Sequence, residues 1–97
     1  VKASVEVPEI TTNLSDDGFI KISFTIQTDS AKGKKELEKR LFQVKNLLIS
    51  ELSELEQADF DGKKGQANLE ATLKTRINSI MQEGTIEKVY ITSRIIQ

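Results

Sequence analysis

The sequence predicts an α+β domain in the order β-β-α-α-β. It reads as a three-stranded, mainly antiparallel sheet packed on one face by two helices, the first of them long. Three observations carry this. In "FIKISFTIQT" apolar and polar residues alternate from Ile20 to Gln27. Residues 34–56 switch to helical spacing, with Leu37, Leu41, Val44, Leu48, Leu52 and Leu55 on one stripe. After Gly84 the alternation returns in "IEKVYITSRIIQ". A period of two marks a half-buried strand and a period of three to four marks an amphipathic helix.

The chain opens on "VKASVEVPEITTNL". Pro8 has no amide proton and suits an entry or edge position. Alternation of Ile10, Thr12 and Leu14 places a first strand at 9–14, and residues 1–8 read as a linker. "SDDG" at 15–18 is a turn, with Gly18 suited to positive φ. The second strand spans 19–28, with Ile20, Ile22, Phe24 and Ile26 on its apolar face. Asp29 or Ser30 then caps the first helix. At about 1.5 Å per residue, a helix over 34–56 is on the order of 33 Å long. That exceeds what three short strands need as cover. Phe42 and Ile49 form a second apolar seam beside the main stripe. Either the seam widens the core face, or it meets a neighbouring subunit. Leu69, Leu73, Ile77 and Ile80 place the second helix at 64–82, with Gly84 as a left-handed cap. The last strand puts Val89, Ile91 and Ile95 on one face and Tyr90, Thr92 and Arg94 on the other.

Composition narrows the function. The chain has 97 residues, room for one core, and a net charge of −1. That balance lacks the basic excess of a dedicated nucleic-acid binder. There is no Cys and no His, so thiolate nucleophiles, Cys/His zinc sites, imidazole acid-base chemistry and disulfides are all excluded. No run approaches the roughly 20 apolar residues that span a bilayer, and the start does not read as a signal peptide. Val1 in place of Met points to a fragment. No nucleophile elbow and no assignable carboxylate pair is present, and we expect neither enzymatic activity nor a cofactor or metal.

Two stretches resemble binding loops. "GKKG" at 62–65 lies between the two helices, as the backbone-clamping loop of a KH module does. Lys63 and Lys64 would supply charge there, and Gly62 and Gly65 close approach. Against this stand the long first helix, Asn68 where that pattern is apolar, and the repulsion of phosphate by Asp59 and Asp61. The alternative is a helix start capped by Asp61. "NLSDDG" echoes half of an EF-hand loop, but Phe24 stands where a bidentate Glu belongs, and a hairpin turn accounts for it. Asn13-Leu14-Ser15 is also a glycosylation sequon, a short match common by chance.

The ordered set of motifs resembles the FliL family of flagellar basal-body-associated proteins over roughly residues 9–97. "NLSDDGFIKISFTIQ" is similar to its hairpin and strand, and "GQANLEATLKTRIN" to its glycine-started helix. The closing "INSIMQEGTIEKVYITSRIIQ" matches at Asn78, Gly84, Val89, Tyr90, Thr92 and Gln97. Ile91 and Arg94 depart from the usual pattern, and Arg94 is expected on the wet face. In this alignment Gly65 is the helix-start glycine. The resemblance implies a stomatin-like core. It implies a domain outside the cytoplasmic membrane at residues 9–97, tethered through residues 1–8 to a removed membrane helix. It also implies a non-catalytic role: ring self-assembly and association with flagellar stator proteins in support of swimming and swarming. Phe42 and Ile49 are the candidate ring contacts. A KH-like RNA-binding module using Gly62, Lys63, Lys64 and Gly65 is the alternative reading, and a small-molecule sensor is a third.

Overall fold

The computed structural model describes residues 3–97. Three antiparallel strands, β1 (Ser4–Asn13), β2 (Phe19–Thr28) and β3 (Ile86–Ile96), form one sheet in that order, and the helices cover one of its faces. Strand β2 (Phe19–Thr28) is central, which matches its unbroken alternation. Ile20, Ile22, Phe24 and Ile26 are buried under the helices. Its other face carries Lys21, Ser23, Thr25 and Gln27, all partly exposed.

Strand β1 (Ser4–Asn13) starts earlier than the alternation around Ile10 suggests, and it includes part of the segment read as a linker. Val5 and Val7 enter the core, and then the register shifts: Val7 pairs with Phe24, and Ile10 with Ile22. Two residues on β1, Pro8 and Glu9, thus stand opposite one on β2, Ser23, a bulge that hides the longer strand from a strict period of two. Pro8 sits in the bulge of an edge strand, where a missing donor costs no ladder bond. In the following turn it is Asp17, with φ 72°, that takes the left-handed conformation, not Gly18. A Cβ at Gly18 would lie 2.8 Å from the end of the exposed Gln57 side chain, a contact that a shift of that side chain relieves.

The long helix is interrupted. Helix α1 (Ala31–Lys39) and helix α2 (Leu41–Ser53) meet at Arg40, whose φ of −96° and ψ of 10° leave the helical well. Flanking hydrogen bonds continue across the break, from Arg40 N–H to the Glu36 carbonyl at 3.0 Å and from Val44 N–H to the Arg40 carbonyl at 2.8 Å. The break divides the span the sequence assigned to one rod, so that α1 lies on β1 and β2 while α2 lies on β1 and the third helix. Ser30 is the α1 cap, its hydroxyl accepting from Gly33 N–H at 3.0 Å.

A 3-10 turn (Gln57–Phe60) buries Phe60, and helix α3 (Gly62–Asn78) follows. It places Leu69, Leu73 and Ile77 in the core. It ends before Ile80 and Met81, which pack against the core from the connecting segment. Strand β3 (Ile86–Ile96) closes the sheet. A second bulge shifts its register, with Phe24 opposite Ile91 but Ser23 opposite Ser93. Faces therefore exchange along the strand. Arg94, expected on the wet face, pairs with buried Ile22 and donates to the Phe60 carbonyl on the helix side. Ile95, expected in the core, pairs with Lys21 and is 52% exposed. Ser23 hydrogen-bonds to both Thr92 and Ser93 at the bulge.

Candidate functional site

The GKKG stretch is not a loop between helices. Residues 62–65 form the first turn of α3. Gly62 has φ 69° and starts the helix from a left-handed residue, which only glycine adopts without strain. Gly65 packs against the 3-10 turn, where a Cβ would sit 2.8 Å from the Asp59 carbonyl oxygen. Asp61 occupies the cap position but makes no side-chain capping bond. Lys63 and Lys64 are exposed. Both glycines thus serve chain geometry.

The most tightly held charge is one the sequence analysis passed over. Glu36 lies in α1 with 4% of its surface exposed. Its Oε1 accepts from Glu83 N–H at 2.7 Å and Gly84 N–H at 3.0 Å. Its Oε2 accepts from Gln82 N–H at 2.7 Å and from Arg40 Nε at 2.9 Å. Burial alone would raise the carboxyl pKa, but the three amides and the guanidinium outweigh it and pull it from 4.5 down to about 2. Alongside, Asp29 accepts from Thr85 N–H at 3.1 Å. Gly84, expected as a left-handed cap, is not in that conformation. It is glycine because its backbone touches α1: a Cβ would lie 2.3 Å from the Gly33 Cα. Two glycines at the crossing of a helix with a loop were the one available signal.

Asn78 continues the clasp. Its side chain donates to the Ile86 carbonyl at 3.0 Å and accepts from Ile86 N–H at 2.7 Å, fixing the start of β3. At the other end, Gln97 and Phe19 exchange both backbone bonds at 2.9 Å. Tyr90 stands on the open sheet face with Lys88 Nζ 5.7 Å from its ring centre. Among the described residues no group of three or more acidic side chains is placed to hold a metal ion.

Two surface features remain. Phe42 is 78% exposed and Ile49 38% exposed, so the seam they form faces outward and is no part of the core. On another part of the helical layer, a groove of about 440 Å³ opens between α2 and α3, lined by Leu55, Ala58 and Leu69 with Asp59, Asp61 and Lys64 at its margin.

Residues 4–97 match the family described as "Flagellar basal body-associated protein FliL". The chain belongs to the FliL family. It is also 50% identical, over 97 residues, to "Flagellar protein FliL" of Bacillus subtilis (strain 168), a match that covers 100% of this chain and 69% of that protein. Membership places the chain among proteins associated with the flagellar basal body. The residues that carry the FliL resemblance have clear mechanical roles. Gly65, Asn78 and Gly84 lock helix and loop junctions, and Gln97 zips β3 to β2. No described helix is long and apolar enough to cross a membrane.

Proposed function

We propose that this chain is the extracytoplasmic domain of a membrane-anchored FliL protein. In this reading it acts without catalysis, assembles with copies of itself into a ring, and supports the stator during swimming and swarming. The family match over residues 4–97 is the observation that carries the reading. The outward seam of Phe42 and Ile49 supports the self-assembly part, because the two large apolar side chains, seven residues apart, share one exposed helix face. A membrane anchor confines copies to a plane and raises their effective concentration, so weak lateral contacts suffice.

The test uses the natural gene product in its host. Membrane fractionation followed by proteolysis of intact spheroplasts should find the domain in the membrane fraction and cut from outside. A soluble, protease-protected product would overturn the assignment. Phe42→Glu should impair motility while the purified domain keeps its melting temperature.

A further inference from the structure

We propose that copies of this chain dock head to tail, with Phe42 of one copy seated in the groove between α2 and α3 of the next. The inference rests on the self-assembly reading above and names its two surfaces. The first surface is a line. Lys32, Lys35, Lys39 and Phe42 follow one another at spacings of three and four, on the side of α1 and α2 opposite buried Leu37 and Val44. Residues 31–40 contain five cations and two carboxylates. One of those carboxylates, Glu36, is spent internally on Arg40 and the loop amides. Lys32, Lys35 and Lys39 make no ion pair among the described residues.

The second surface is its complement. Residues 51–61 contain five carboxylates and no cation. Three of them, Glu51, Asp59 and Asp61, line the groove beside Leu55, Ala58 and Leu69; Glu51 is already paired with Arg76 at 2.7 Å, and the groove's volume of about 440 Å³ admits an aromatic ring. Lys64 is a cation at the same margin, beside Asp61. An exposed aromatic flanked by lysines thus matches a groove with an apolar floor of Leu55, Ala58 and Leu69 and carboxylates along it, in a chain whose net charge is only −1.

The occupant must be a second copy. Phe42 and Leu55 lie thirteen residues apart on the α2 side of the molecule, about 20 Å along a helix axis, so no Phe42 reaches its own groove. The two surfaces also differ from each other, which makes the contact heterologous. Such contacts propagate and close into rings when the rotation allows.

These 97 residues contain no cysteine, so introduced thiols are the only ones in this domain, and the parent gene product without them is the background control. Asn46→Cys lies one turn beyond Phe42, and Asn68→Cys lies on the groove; both positions are exposed. The natural gene product carrying both would be treated in its host with a short bismaleimide. A ladder of dimers, trimers and higher species is expected from the double variant and not from either single variant. Adding Phe42→Glu, or Lys35→Glu with Lys39→Glu, should reduce the ladder by about tenfold or more. A strong dimer from Asn46→Cys alone would show a symmetric contact and overturn the docking. An amine-reactive crosslinker is run in parallel. Oligomers seen with it but no thiol ladder would overturn the docking and leave self-assembly standing. No oligomer with either reagent would overturn both.

Discussion

The two glycine-bearing junctions of this molecule invert the importance their sequences suggest. At residues 62–65, two glycines bracket two lysines and look like chemistry, yet the stretch is a helix start with its lysines in solvent. At Gly84 the sequence suggests only a helix cap, yet its backbone touches that of Gly33 and a buried carboxylate beside them collects four donors. A motif is local, whereas the cost of a buried charge depends on which distant amides the fold brings to it. Glu36 and Gly84 are 48 positions apart.

Glu36→Gln should give the largest loss of stability and break this contrast most directly. Each carboxylate oxygen accepts two donors, so whichever side takes the amide –NH₂ sets donor against donor. A melting-temperature drop exceeding those of the variants below is expected by circular dichroism. The same residue sets a pH dependence. Its folded pKa of about 2 lies below the ordinary 4.5, so its contribution is fully present above about pH 4.5 and is lost as pH falls toward 2. The acid limb of the melting-temperature profile should flatten in Glu36→Gln.

Gly84→Ala comes next. A Cβ at 2.3 Å from the Gly33 Cα forces two backbones apart, for a loss of about 3 kcal/mol in urea unfolding. Asn78→Ala leaves the Ile86 amide and carbonyl without their partners and should cost about 2 kcal/mol. Gly62→Ala puts a Cβ on a residue with φ 69° but into open space, so only backbone strain opposes it, about 1 kcal/mol. Smallest of all, Lys63→Glu with Lys64→Glu should stay within about 0.5 kcal/mol of the parent. A large loss there would show that this turn carries more than helix geometry.

Much of the architecture was legible because it follows from periodicity. The β-β-α-α-β order, the buried face of β2 and the Leu69–Leu73–Ile77 stripe all follow from side chains repeating at two or at three to four. Failures cluster where one residue is inserted or one angle changes. The β1 bulge at Pro8 concealed the first half of that strand, and the β3 bulge exchanged the faces of Arg94 and Ile95. In a strand, a shift of one residue moves every later side chain to the other face. Arg40 ended α1 without a proline or glycine to announce it. As for the surface, the seam of Phe42 and Ile49 was visible as a pattern, but its direction was not, because spacing fixes which residues share a side and not what that side meets.

The sequence by itself determined the fold class, the central strand, the helical stripes and, through the order of its motifs, the family. Those depend on neighbours in the chain. Tertiary structure alone decided that Phe42 faces outward, that a groove opens between α2 and α3, and that Glu36 is the charge held most firmly. Each of these depends on atoms dozens of residues apart arriving at one place. The number of donors around a carboxylate, and the side of a helix left uncovered, exist only once the chain has closed on itself.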